Sequence, residues 1–454
     1  MMKVLKKGSL SRCAGRGLVV AVIAIVATSC AQAQHGPGLG SDHARPVKEH
    51  ALPGGYPANP SVPPSSSIPV EPLGFSAPGP LYLGQRVSVA SLDFIGENRL
   101  LFTFRVPGLI QREFKNGESE HSDERRIKAL VLTLPTGAIE SESLWTVHDH
   151  ARYLWMLKDG QYLFRDKESL LEGNAKLELK PLLQFPGSLL RLELDPGEQF
   201  LVTNSMEPAA TPAKPGSVGS PPTAAATVTT DDQGGESQTD AGQDDYVVRI
   251  LRRDSGKVML VSRTRAVVHL PINSEGYIEN LRGRGDEWVL NLNFFTGGSH
   301  ILGSVNSSCV PNNEFVSPEL IAVAGCDSSG AGKLLAVTTD GKILWDDLNP
   351  ATAIWPLLIH SPDGLRVAQE TLAVTHAVGA FAPLGNDDIK GQVVRVLDGA
   401  TGDVVFESPV SPVLDAGGNV AISPSGRRVA VINAGAIQVF DLPAPTPLPS
   451  TPKP

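Results

Sequence analysis

The chain has 454 residues, 41% hydrophobic and 19% charged, with a formal net charge of −9. That length and balance suit a large folded core and exclude a disordered chain, and 45 Gly with 37 Pro favour turns over long helices. The acid excess, with no Lys/Arg stripe interleaved with aromatics, excludes nucleic acid as a partner, because counterion release needs a basic surface.

Residues 1–33 read as an export signal. Lys3, Lys6, Lys7, Arg12 and Arg16 form a basic start, followed by the apolar run 17–27. At about eleven residues that run is too short to cross a bilayer about 30 Å thick. Ala31-Gln32-Ala33 supplies a cleavage pattern that would leave Gln34 first. Ala27-Thr28-Ser29-Cys30 loosely resembles a lipobox, so processing at Cys30 would instead attach a lipid, and only then is a membrane a partner. Removing the signal takes away five positive charges and no negative ones, moving the net charge from −9 to −14. The expected location is periplasmic or secreted.

Residues 34–80 carry Pro every few positions and almost no apolar periodicity, which predicts a disordered, polyproline-like spacer. From 81 to 442, apolar runs of strand length recur between turn residues, and none keeps helical period for the ten or so residues a helix wants. The predicted class is all-β. The Pro-rich tail 443–454 should be unstructured.

Two turn types alternate along 81–442. In one, Ser361-Pro362-Asp363-Gly364 and Ser423-Pro424-Ser425-Gly426 each precede a basic residue and a strand, with a degenerate copy at Asp195-Pro196-Gly197-Glu198 and a weaker one at Gly96-Glu97-Asn98. In the other, Thr136-Gly137, Ser255-Gly256, Asp340-Gly341 and Thr401-Gly402 each lead into an aliphatic strand. Two hairpins make a four-stranded unit the size of a propeller blade, and the count is about seven, with six or eight left open by the irregular stretches 157–185 and 270–305. The last repeat holds three strands, so closure should borrow one from the start of the domain, expected at residues 81–90. The segment 207–245 lacks aromatics and predicts a floppy loop between two strands of the third blade, and 111–128 predicts a solvated hairpin loop.

The Ser-Pro-Asp-Gly and Ser-Pro-Ser-Gly turns resemble the repeat of WD40-like propellers of the TolB type, found in periplasmic proteins. The resemblance implies turn formation and carries no other residue role. Residues 334–347 are similar to one repeat of the quinoprotein-type propeller, with Trp345 at its docking position. Phe406 stands there in the sister run, so Trp345 is expected to pack between blades, and no cofactor is expected.

With Cys13 in the signal and Cys30 removed or lipidated, Cys309 and Cys326 are the thiols left to the domain, and an oxidising compartment should pair them. His148-Asp149-His150 is the only His-x-His, and on a strand it would place His148 and His150 on one face with metal-ligand spacing. A third ligand is wanting: His121, His269, His300, His360 and His376 fall one per region, so metal binding is not expected. Asp363, Asp387-Asp388 and Asp244-Asp245 lack the spacing of a calcium loop and read as acidic loop tips. No G-x-S-x-G elbow, H-E-x-x-H or P-loop occurs, no catalytic residue is assigned, and the length leaves no room for a hydrolase domain beside the propeller.

The reading is an exported, monomeric, single-domain β-propeller that binds a protein or a polysaccharide without catalysis, through loops on one face. The alternatives are a lyase, hydrolase or quinone-dependent oxidoreductase on the same scaffold, which polar groups converging in the channel mouth would favour, and a lipid-anchored envelope assembly factor dependent on Cys30.

Overall fold

A computed structural model describes residues 48–49, 56–79, 81–83, 87–106, 125–148, 151–208, 244–327, 331–378 and 384–448. The segment expected to be an export signal, with Cys30, the core of the charged loop with His121, residues Asp149 and His150, and positions 209–243 of the long insertion lie outside the described residues.

Seven antiparallel blades follow one another along the chain. Blade 1 holds Ala90–Gly96, Arg99–Arg105, Arg125–Thr133 and Ala138–Val147. Blade 2 holds Leu154–Met156, Tyr162–Asp166, Ser169–Gly173 and Leu179–Gln184, and blade 3 holds Ser188–Leu194, Phe200–Pro208, Asp244–Arg252 and Val258–Thr264. Blade 4 has three strands, Gly276–Arg282, Glu287–Phe294 and Ser299–Asn306. Blade 5 has Asn312–Phe315, Leu320–Cys326, Gly332–Thr338 and Ile343–Leu348, with Lys48–Glu49 added in parallel at its outer edge. Blade 6 has Ala353–His360, Arg366–Val374, Ile389–Asp398 and Val404–Val410, and blade 7 has Val420–Ile422, Arg428–Asn433 and Ala436–Asp441. The irregular stretches of the sequence are thus blade 2, with short strands, and blade 4. The Pro/Gly turns join first to second strands and the hydroxyl-Gly or Asp-Gly turns join third to fourth, and the long insertion separates the middle strands of blade 3, as its composition predicts.

Closure uses an N-terminal strand, but not the expected one. Ser66–Pro69 pairs antiparallel with Ala436–Asp441 as the outer strand of blade 7, while Leu81–Tyr82 pairs in parallel with Val413–Leu414. The spacer therefore gives way to structure before residue 80. An outer strand needs hydrogen bonds on one side alone, which a Pro-rich segment can supply. Ile68, Val70, Leu73 and Phe75 then enter the core between blades 7 and 1, Phe75 standing edge-on to Phe102 and Phe104 at 5.4 and 5.3 Å. Earlier still, Ser61 donates its N–H to the Glu407 carbonyl at 2.8 Å. The tail also departs from expectation up to Leu448: the Thr446 N–H bonds Asp398 at 3.0 Å and Leu448 packs on the blade 5–6 cluster.

Burial is organised between sheets. Seven apolar clusters fill the seven junctions between adjoining blades, because each twisted sheet has two faces to cover and its neighbours cover both. Trp345 lies between blades 5 and 6, its indole N–H donating to the Gly399 carbonyl at 2.8 Å, which fits the packing expected for it.

Cys309 and Cys326 form a disulfide with Cα atoms 5.5 Å apart, tying the segment before blade 5 to the end of that blade's second strand. The expected pairing is therefore present.

Candidate functional site

The two best repeats build scaffold. Ser361 and Ser423 are fully buried, and their hydroxyls accept the N–H of Arg366 and Arg428 at 3.0 and 3.1 Å, closing each turn at the start of the second strand. Gly364 and Gly426 adopt φ of 70° and 64°, and a Cβ at Gly364 would stand 2.8 Å from the Val316 carbonyl oxygen of the neighbouring blade. The basic residue then spans two blades. Arg366 pairs with Asp398 at the end of its own third strand and donates to the Gly426 carbonyl of blade 7 at 3.2 Å. Arg428 pairs with Asp441 at 3.0 Å and donates to the Glu97 carbonyl of blade 1 at 3.2 Å.

The first strands form the inner ring. Those of blades 7 and 1, of blades 1 and 2, and of blades 6 and 7 touch one another, whereas Ser66–Pro69 closes blade 7 at the opposite edge. Charged residues gather at the ends of these strands, just ahead of the first turn: Asp93 in blade 1, Arg191 and Glu193 in blade 3, Glu314 in blade 5 and His360 in blade 6. Arg152, leading into blade 2, and His269, between blades 3 and 4, join them.

Two imidazole–carboxylate pairs result. His269 Nδ1 lies 2.9 Å from Glu193 Oε1, and its Nε2 donates to the Asn313 carbonyl at 2.6 Å. Arg191 completes the group, with Nε 2.8 Å from Glu193 Oε1 and Nη2 2.7 Å from His269 Nδ1. His360 Nε2 lies 3.5 Å from Glu314 Oε1, while its Nδ1 donates to the Ser361 carbonyl at 3.0 Å. Arg152 bonds the Leu154 carbonyl through Nε at 2.9 Å and lies 5.3 Å above the Trp155 ring. Its charge reaches Asp93, Glu314 and His360.

Burial and charge compete here. Burial pushes Glu193 and Glu314 up, but the histidines and arginines outweigh it and hold both carboxyls below their ordinary value. Burial likewise pushes His269 and His360 down, and the facing carboxylates outweigh it and hold both above theirs. Asp93 differs: burial raises it, and Ser91 and Arg152 offset only part of the rise. Glu314 lies deep in the molecule and yet its side chain is 37% exposed, which fits a group facing solvent inside a channel.

His269 and His360, scattered in sequence, both belong to this ring. His148 Nδ1 lies 3.0 Å from Asp166 Oδ1, and its would-be partner His150 is outside the described residues. His300 is exposed on the outer strand of blade 4, and His376 is exposed 3.9 Å from Asp388. Among the described residues no three His, Cys, Asp or Glu side chains are placed to hold a metal ion. Sequence reasoning passed over Asp93, Arg152, Arg191, Glu193 and Glu314. The usable signal was positional: charges a few residues ahead of the first turn in several repeats, where a strand enclosed on both faces would be apolar.

No family model and no curated protein matches the chain. Among solved structures it is similar to the acylaminoacyl peptidase of Pyrococcus horikoshii, at 12% identity over 76% of this chain and 48% of that one, with a TM-score of 0.43. It is similar also to the propeller domain of the Trilobed protease of Pyrococcus furiosus (11% identity, 78% and 94% covered, TM-score 0.41). A TolB-type propeller of Agrobacterium tumefaciens gives 12% identity, 66% and 94% covered, and a TM-score of 0.36. The chain spans about half the length of the acylaminoacyl peptidases it matches, at 48% and 52%. At these values the likenesses concern the fold and carry nothing about activity.

Proposed function

We propose that this chain is a non-catalytic binding propeller, exported from the cytoplasm, that takes a protein or polysaccharide partner at the channel end lined by Asp93, Arg152, Glu314 and His360. Convergent polar groups at this place would also suit an enzyme, and the state of the histidines is what supports the binding reading. Both nitrogens of His269 and both of His360 are committed to groups of the protein itself: a carboxylate or guanidinium on one side and a main-chain carbonyl on the other. An imidazole held this way has no free lone pair to take a proton from a substrate, whereas a fixed array of charges is what recognition needs. The Cys309–Cys326 disulfide and the signal-like N-terminus support a location in an oxidising compartment.

The test compares wild type with Arg152→Ala in capture from envelope extract and on a glycan array, with the mature N-terminus read by mass spectrometry. The reading expects a retained partner whose capture by R152A falls at least tenfold, with folding unchanged. Hydrolase, lyase or quinone-dependent turnover abolished by His360→Gln would overturn it in favour of the enzyme.

A further inference from the structure

The junction of blades 6 and 7 contains buried oxygen atoms that have no hydrogen-bond donor among the described residues. Glu370, in Arg366–Val374, is 0% exposed, and neither carboxylate oxygen has a hydrogen-bond donor among the described residues. Its cross-strand partners are Leu357 and Val394. The loop 415–419, Asp-Ala-Gly-Gly-Asn, packs against it, and a Cβ at Gly417 would stand 3.2 Å from Glu370 Oε2. Asn419, at the loop's end, is also 0% exposed. Its amide N–H groups go to the Gln392 side-chain oxygen at 3.3 Å and the Pro412 carbonyl at 3.0 Å, which fixes the orientation and leaves Oδ1 without a donor.

The nearby side-chain donors Gln392, Arg366 and Arg395 are engaged elsewhere. Gln392, diagonal to Glu370 across the same strand pair, gives its amide to the Leu414 carbonyl at 2.9 Å. Arg366, on the same face, is held by Asp398, and Arg395, on the opposite face, by Asp347 and Asn349. A second buried carboxylate, Asp415, stands at the start of the loop.

We propose that Glu370, Asn419 and the loop 415–419 form a buried site for a divalent cation of the oxygen-ligated kind, with calcium as its representative. A collection of acceptors without donors is costly to bury, and carboxylate and amide oxygens of this kind are what a hard cation takes as ligands. Gly417 and Gly418, at φ of 65° and 97°, let the loop backbone come close to the carboxylate, since a side chain at Gly417 would collide with Leu357. Sequence spacing could not find the site, because Glu370 and the loop lie on different blades.

Burial pushes the Glu370 carboxyl up to about 8, so at pH 7 a cation entering this site must displace a proton. Acidic side chains at exposed loop tips are already ionised at that pH and would release none. The full-length protein, stripped with a chelator, is titrated with calcium chloride at pH 7 by calorimetry in two buffers of different ionisation enthalpy. The expected result is one saturable site that releases nearly one proton per ion, and a calcium-induced rise in Tm absent from Glu370→Gln. No saturable binding by about millimolar calcium, binding without proton release, or an equal Tm rise in E370Q would overturn the proposal. Should E370Q fail to fold, Asn419→Ala takes its place, and a calcium-induced Tm rise equal to that of the wild type would overturn the proposal.

Discussion

Blades 6 and 7 carry the complete turn motif and are joined by it, whereas blades 3 and 4 lack it, have a long insertion and a missing strand, and meet through a mixed junction. In the first region Arg366 and Arg428 repeat one geometry, each holding an Asp of its own blade and a carbonyl of the next. In the second, Asn204 exchanges hydrogen bonds with the main chain of Val268, and His269 engages Glu193. The legible repeats are largely structural. The first strand of blade 7 contributes no charge to the channel, while that of blade 3 contributes Arg191 and Glu193. Regularity in the sequence marks what holds the ring together, while the charges of the channel come from regular and irregular blades alike, His360 from blade 6 beside Arg191 and Glu193 from blade 3.

Within the motif itself the two copies differ most in burial. Arg366 is fully buried and Arg428 is 34% exposed, although their roles match. Arg366→Ala leaves Asp398 buried and unpaired and should cost about 3–5 kcal/mol in urea unfolding. Arg428→Ala loses an exposed pair and should cost at most about 1 kcal/mol. Equal losses would mean that the motif, and not its burial, sets the energy.

Glu370 tests the same junction through pH. Its folded value of about 8 lies above the ordinary 4.5, so the stability it contributes is full below 4.5 and is lost as pH rises through 8. In calcium-free buffer E370Q should remove a pH dependence worth up to about 1.4 kcal/mol per unit over that range. Chemical denaturation at pH 5 and at pH 8 checks it, and an unchanged slope would refute the burial argument.

In the irregular half, replacing Cys309 and Cys326 by Ser should destabilise by about 3 kcal/mol, since the bridge closes a loop of separation 17. Thiol labelling of the unfolded, unreduced wild type should find neither cysteine reactive. The channel pairs should show a smaller effect of opposite dependence at their two partners. Because His269 and His360 are raised, their stabilisation is complete below about 6.5 and lost as pH climbs through the folded values. Because Glu193 and Glu314 are lowered, theirs is complete above about 4.5 and lost as pH falls through the folded values. The double variant His269→Gln, His360→Gln should flatten the alkaline limb and leave the fold intact, as read by NMR titration and melting. The smallest effect belongs to the insertion: a short Gly/Ser linker in place of residues 209–243 should move Tm by only a degree or two, because closure entropy changes slowly with loop length. A fall of about ten degrees would show that the insertion packs on blade 3 or 4.

Legible in the sequence were the class, an approximate number of blades, both turn types, the place of the insertion and the disulfide partners. These are local properties, set by strand-length apolar runs, by glycines that must take positive φ, and by the scarcity of cysteine. The rest came from contacts between segments distant in the chain. Ser66–Pro69 looked like spacer because an edge strand with one inward residue, Ile68, leaves almost no periodic trace. His269 and His360 looked unrelated because residues some 90 positions apart on a ring become neighbours only when seven sheets share an axis. The buried oxygens of Glu370 and Asn419 were invisible for the same reason: whether a polar atom has a donor is a property of its surroundings, and those come from another blade.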